Sequence, residues 1–381
     1  MGCSFPPCGR NCWTLAETAN QNAPDGLQRL LSKSKWDAEA LRAQFEAEIY
    51  ATLADTTTYW DLDETGFLKA GSHSIGVQRQ YTGTAGKSAN CQIAVFLAFS
   101  SSKGYALTDF RFFLPTSWAK DRKRCQAAGI PDDVVHQTKG KLAVDLLSKA
   151  LAKGYEADWT TGDCVYGDSP DLRRFLVENQ RGFVFAMHTD RLCQPISSPE
   201  AILIENAPSE VKVWQRCHIL GSQGPLAYEW GALEVTYQDL RCTLVFRRRG
   251  KEVTAYLAWA PRAFELREVA QAICRRWDVE RCFEEAKQEV GLDEFQARKW
   301  QSVHRHVILA MQAFWLLVQV KRRCRTSLPL ARRYLRIPWQ ARPLEAAQLL
   351  LWTRFREWHT LKTTRSKWRS RLKLDSHEAP G

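Results

Sequence analysis

The sequence predicts a mixed α/β fold: a mixed sheet with flanking helices, interrupted by a β-rich stretch and bracketed by helical segments. Three observations carry this. β-Branched and aromatic runs alternate with helical patterns up to about residue 189, residues 190–260 hold strand-like runs with no helix between them, and apolar helical spacing returns after residue 261. At 381 residues the chain can bury a substantial core and form more than one structural unit.

Residues 13–50 form a helical lead-in, with Leu27, Leu30 and Leu31, then Leu41, Phe45 and Ile49, at helical intervals after the turn-prone Asn22-Ala23-Pro24-Asp25-Gly26. Residues 57–66 then read as a strand whose end is abruptly acidic. Asp61, Asp63 and Glu64 there are either solvated edge residues or include a metal ligand. A loop with Arg79, Gly83, Gly86 and Lys87 follows. Its Gly86-Lys87-Ser88 is not a nucleotide-binding P-loop, because Tyr81 stands where that motif needs glycine. Strands over 90–100 and 105–115 pair across Ser101-Ser102-Lys103-Gly104. The basic segment 118–124 is either a charged surface helix or the lining of a DNA groove.

A helix over 141–153 stops at Gly154, a strand over 155–162 ends at Asp163, a helix covers 170–179 and an apolar strand covers 182–188. The expected order is therefore β, β, β, α, β, α, β, with acids ending the first and fourth strands. Strand-like runs at 211–220, 226–238, 242–248 and 253–259 make up the β-rich stretch. Helices are expected over 261–274 and 303–320, and over 343–374, where the chain becomes strongly basic.

With 54 Lys+Arg against 42 Asp+Glu, the net charge is +12 and the pI about 9.2, which suits a polyanionic partner, nucleic acid first. The chain shows no signal-peptide pattern, so its twelve cysteines are expected to be reduced thiols in a cytoplasm. Cys3, Cys8 and Cys12 lack the second Cys or His pair that a zinc module needs. The apolar run 307–320 is too short to span a bilayer and reads as a core helix.

The stretch Arg276-Trp277-Asp278-Val279-Glu280-Arg281-Cys282-Phe283-Glu284-Glu285-Ala286-Lys287 carries a charged seam. At about 100° per residue, Arg276, Glu280, Phe283 and Lys287 share a sector of roughly 60°, beside an apolar face of Val279, Cys282, Ala286 and Val290. Alone, the seam is a salt-bridge ladder or a metal ligand between phosphate-binding cations. Asp63 and Asp163 at strand ends shift that balance. Three carboxylates on a sheet and its covering helix can hold two Mg²⁺ ions about 3.5–4 Å apart for in-line phosphoryl transfer.

These residues resemble a family, the DDE-type insertion-sequence transposases with an RNase-H-like catalytic domain, in the branch marked by a Tyr-x2-Arg-x3-Glu-x6-Lys signature. Within that branch the chain resembles the seven-hundred-one family of insertion sequences. Arg276-x3-Glu280-x6-Lys287 fits the signature, and Leu62-Asp63-Glu64-Thr65-Gly66-Phe67 with Thr161-Gly162-Asp163-Cys164-Val165-Tyr166-Gly167 resemble its aspartate blocks. The resemblance covers about residues 13–320. It implies Asp63, Asp163 and Glu280 as metal ligands, with Glu64 and Glu284 as rivals, and Mg²⁺ as cofactor (two ions, replaceable by Mn²⁺). Arg276 and Lys287 would grip phosphates, with Arg79 and Lys87 as further DNA contacts.

The implied activity is binding of terminal inverted repeats in double-stranded DNA, cleavage, and joining of 3′-hydroxyl ends to target DNA. The protein would act as a homodimer on DNA, with no membrane and no nucleotide cofactor, in the cytoplasm at the nucleoid. The implied organisation is a helical segment 1–50, a catalytic domain in two parts (51–189 and 261–324), a β-rich insertion 190–260 and a basic helical tail 325–381. The signature's tyrosine position holds Ile273, and residues after about 325 match poorly. An inactive or repurposed remnant that binds DNA without cutting is the alternative. In related enzymes an insertion aromatic stacks on a flipped base; Trp230 and Trp259 are the candidates, with strand-core packing the preferred reading of both. His304 and His306 read as core or surface histidines.

Overall fold

A computed structural model describes residues 11–19, 21–221 and 224–336. The basic segment 343–374, Cys3 and Cys8 lie outside the described residues. The chain opens on α1 (Cys12–Thr18), α2 (Asp25–Ser32) and α3 (Ala38–Leu53), followed by β1 (Thr58–Leu68), β2 (Gln78–Thr82), β3 (Lys87–Ser101) and β4 (Gly104–Phe112). Next come α4 (Thr116–Ala119), α5 (Arg122–Ala128), α6 (Lys139–Ala152), β5 (Trp159–Gly162), α7 (Cys164–Gly167), α8 (Pro170–Glu178) and β6 (Gly182–Ala186). The β-rich stretch contributes β7 (Leu192–Pro195), β8 (Ile202–Leu203), β9 (Trp214–Gly221), β10 (Gly224–Tyr237), β11 (Leu240–Arg249) and β12 (Glu252–Trp259). The helices α9 (Leu266–Arg275), α10 (Trp277–Val290), α11 (Trp300–Cys324) and α12 (Leu328–Arg336) complete the described residues.

Among the described residues, the twelve strands join in one sheet along the order β2-β3-β1-β5-β6-β12-β11-β10-β7-β8, with β4 on β3 and β9 on β10. β1, β3 and β4 form an antiparallel meander, and β5 and β6 lie parallel to β1. This is a mixed α/β architecture of RNase-H-like type. Alternation along β1 divides its side chains between two faces. Tyr59, Asp61 and Asp63 point toward α9 and α10: Asp63 lies opposite Phe96, whose ring meets Phe283 of α10 edge-on at 5.2 Å. Trp60 and Glu64 point the other way, where the Trp60 indole donates to the Tyr50 hydroxyl of α3 at 2.8 Å and Glu64 meets Lys139 of α6.

Three expectations change. Residues 78–82 form a strand, not a loop, so Arg79 sits on β2 and Asp163 follows the fifth strand. Its polar sequence Gln78-Arg79-Gln80-Tyr81-Thr82 belongs to an edge strand paired only with β3. β1 runs on past the acids, because Thr65 to Leu68 pair with Ala94 to Cys91; Asp63 is therefore mid-strand. The 118–124 segment is not one surface helix: Trp118 is fully buried in α4, and the basic side chains belong to α5. The β-rich stretch continues the same sheet, because β12 hydrogen-bonds β6 with Trp259 opposite Phe183. α11 is long and apolar enough to cross a membrane by composition. Its Val303, Val307, Phe314 and Trp315 are buried, as a core helix requires.

Candidate active site

Tyr59, Trp60 and Asp61 of β1 lie opposite Trp159, Thr160 and Thr161 of the parallel strand β5. Asp63 is two residues further along β1, and Asp163 is two residues beyond Thr161. β5 ends at Gly162, and Asp163 caps α7, its carboxylate accepting the Val165 N–H at 2.9 Å. The Asp63 carboxyl is pushed up to about 8, first by burial and then by the like charges of Glu64 and Asp163, while Arg276 pulls it down. The Asp63 carboxylate accepts a hydrogen bond from the Glu64 backbone N–H at 2.8 Å.

The rest of the acidic run is occupied. Glu64 accepts from the Lys139 ammonium and, at 3.0 Å, from the Tyr166 hydroxyl. Asp61 is fully buried and accepts from the Ser100 and Thr161 hydroxyls, each at 2.6 Å, so it ties β3 and β5 to β1 one rung from the aspartate pair. Burial raises its carboxyl to about 7 against the pull of those two hydroxyls. Neither Lys139 nor Tyr166 carries a signal of this role in the sequence, beyond the place of Tyr166 in the second aspartate string.

The charged helix is cut at its first residue: Arg276 joins α9 to α10 with φ −49° and ψ −30°. Val279, Cys282, Phe283 and Ala286 are buried, which moves Phe283 from the seam to the packed face. Arg276 pairs with Glu280 at 3.0 Å. Lys287 donates to Thr84 in the β2–β3 turn at 3.0 Å; burial lowers its pKa, opposed by Asp293 and Asp63. Arg79 and Lys87 are exposed on that same hairpin. Glu284 is exposed and accepts from Gln288 at 3.3 Å.

Among the described residues, no three His, Cys, Asp or Glu side chains gather into a group that could hold a metal ion. The pairing of Glu280 with Arg276 keeps the arrangement at two aspartates and an ion pair. The donor chemistry still fits a hard divalent cation: carboxylate oxygens are its preferred ligands, and the mutual repulsion of Asp63, Glu64 and Asp163 is the kind that a cation relieves.

The family described as DDE superfamily endonuclease matches residues 4–201, more than half of the chain. The chain belongs to the DDE-type insertion-sequence transposases. A second family, described as Transposase DDE domain, matches residues 134–316, so the two together span both aspartates and the Glu280 helix. A relative from Microchaete diplosiphon, "Probable transposase for insertion sequence element IS701", is 30% identical over 156 residues. That match takes in 41% of this chain and 38% of the relative, so the chain spans well under half of the relative's length. DDE enzymes generally use divalent metal ions and act on DNA as nucleases.

The remaining candidates of this DDE chain pack in or against the core. Trp230 is fully buried, and Trp259 stacks on Phe183 at 6.2 Å. Ile273 is buried beside Trp159 and Tyr256. His304 and His306 donate to the carbonyls of Trp300 (3.0 Å) and Gly291 (3.1 Å), and burial depresses each to about 4.

Proposed function

We propose that this chain binds the ends of its own DNA element, hydrolyses phosphodiester bonds there and joins the freed 3′-hydroxyls to target DNA. The observation that supports the reading is the parallel register of β1 and β5, with Asp63 and Asp163 each two residues beyond the paired Asp61 and Thr161, together with the like-charge repulsion between the two aspartates. Asp63 and Asp163 would hold the divalent ions, Mg²⁺ or Mn²⁺. Glu280 would be the third ligand, and the Arg276 guanidinium it now holds would be released to a DNA phosphate. Such ions, when bound, lower the pKa of an attacking water or hydroxyl and offset charge on the leaving oxygen.

The chain's own residues do the rest. Arg276 and Lys287 flank the aspartates and hold the phosphates on either side of the cut. Partial desolvation strengthens the pull of Lys287 on an anion. Its bond to Thr84 ties it to the hairpin carrying Arg79 and Lys87, which extends the grip along the backbone. Tyr166 and Lys139 keep Glu64 turned away, which favours Asp63 as the first acid. We assign 51–189 and 261–324 to one catalytic unit, 190–260 to an insertion on the same sheet, and a homodimer to the DNA-bound state at the nucleoid.

The test is strand cleavage of an oligonucleotide duplex carrying the element's terminal repeat, in Mg²⁺ or Mn²⁺. Asp63→Asn, Asp163→Asn and Glu280→Gln should each abolish cutting and leave DNA binding nearly intact. Retained cutting removes that residue from the site. The second reading, a remnant that occupies element ends without cutting, is favoured by Ile273, whose buried side chain offers no hydroxyl. Binding without cleavage by the unaltered protein selects it.

A further inference from the structure

Arg247 of β11 lies opposite Trp230 of β10 and Thr254 of β12. Its guanidinium is 5.0 Å from the centre of the Tyr228 ring and 5.7 Å from that of Tyr256, on the strands to either side. Among the described residues no carboxylate pairs with it, whereas its neighbours are compensated. Arg248 pairs with Glu229 at 2.9 Å, Arg275 with Asp278 at 3.2 Å and Arg276 with Glu280 at 3.0 Å.

A guanidinium held by aromatic rings keeps its charge and presents its edge N–H groups in a fixed fork, the geometry that matches a phosphate. Arg247 and Asp63 lie on one sheet, with β5, β6 and β12 between their strands. The Tyr256 hydroxyl feels both Arg247 and Arg276, and Arg276 in turn acts on Asp63.

We propose that Arg247, held by Tyr228 and Tyr256, is a phosphate-binding site for DNA flanking the cut, so that the β10–β12 face carries the duplex up to Arg276. This rests on the reading of the chain as a DNA-cutting transposase, and it assigns to the β-rich stretch a gripping role.

The experiment is fluorescence anisotropy with a labelled duplex of random sequence across a salt series, using the full chain. Each phosphate neutralised contributes about 0.9 to the slope of log K against log salt. Arg247→Gln should therefore reduce the slope by about 0.9, making the affinity loss between about 50 and 200 mM salt roughly 3.5-fold smaller than for the unaltered protein. Arg247→Lys should retain the slope, and Arg248→Gln, which removes a cation already paired, should leave it nearly unchanged. An unchanged slope in Arg247→Gln overturns the proposal, as does an equal drop in Arg248→Gln. Cleavage by the unaltered protein is scored separately: no cutting with the Arg247 slope effect intact defeats the catalytic reading alone, and cutting without the slope effect defeats this one alone.

Discussion

Glu64→Gln and Asp63→Asn, one residue apart, should have opposite consequences. Glu64 is an anchored carboxylate, held by the Lys139 ammonium and by the Tyr166 hydroxyl at 3.0 Å, with the two charged side chains only 19% and 24% exposed. Hydrogen bonds to charged groups contribute about 1.5–3 kcal/mol. Glutamine keeps a neutral version of one of them, so the loss should be about 1–2 kcal/mol of unfolding free energy. Asp63 accepts a backbone N–H, while burial and two like charges oppose its ionisation. Its folded pKa lies above the unfolded one, so its contribution is fully present below about pH 4 and is lost as pH rises toward 8. Asparagine escapes that loss, and Asp63→Asn should be at least as stable as the unaltered chain at pH near 7.5. Urea unfolding in EDTA, followed by tryptophan fluorescence, gives the stabilities; strand cleavage in Mn²⁺ gives the activities. The expected result is a crossover: Glu64→Gln less stable but able to cut, Asp63→Asn stable but inactive. An inactive Glu64→Gln of normal stability beside an active Asp63→Asn would exchange the two roles and refute the assignment.

The buried histidines should make stability fall on mild acidification. Depressed to about 4 in the fold against an ordinary 6.5, His304 and His306 stabilise fully above pH 6.5 and lose that contribution as pH drops toward 4. The ceiling is about 3 kcal/mol for each. His304→Phe, placed among Phe110, Phe112 and Trp300, should narrow the melting-temperature difference between pH 7 and pH 5; an unchanged difference counts against a buried neutral ring. Asp61→Ala strands the Ser100 and Thr161 hydroxyls in the core and should cost about 2–4 kcal/mol by urea unfolding, with Mn²⁺ binding weakened by calorimetry. A stability loss with unaltered Mn²⁺ affinity would limit Asp61 to the core. Gly167→Ala places a methyl on the Ala186 carbonyl oxygen, so α7 must lift from β6; a loss of about 1–3 kcal/mol is expected. No change in melting temperature would contradict that packing.

Much of the architecture was legible because local patterns stated it. The aspartate strings, the 90–115 hairpin and the apolar helices all have a clear period, and the structure places elements at each. β2 escaped because its Gln-Arg-Gln-Tyr-Thr sequence has no apolar alternation to read, its pairing being with β3 alone. The union of β12 with β6 escaped because its partners, Trp259 and Phe183, are far apart in the chain and carry no local sign of each other. The acidic strand offered Asp61, Asp63 and Glu64 together, and the resemblance favoured Asp63 with Glu64 as its rival. The pleat turns Glu64 to Lys139 on the opposite face, and the Ser100 and Thr161 hydroxyls occupy Asp61, which leaves Asp63. Arg247 sits in an Arg-Arg-Arg run at the end of a strand-like stretch; that no carboxylate among the described residues pairs with it is visible only in three dimensions.

The join between β6 and β12 also works as a ruler. From β1 to β11 the sheet passes through β5, β6 and β12, four strand spacings of about 4.8 Å, or roughly 19 Å in all. At about 3.4 Å per nucleotide, that span corresponds to about five or six nucleotides of one DNA strand. Hydrogen-bonded neighbours cannot slide without breaking the ladder, so the offset between the strands of Arg247 and Asp63 is built into the backbone. A duplex lying across these strands would be cut at a set number of steps from where it is held, whatever its sequence.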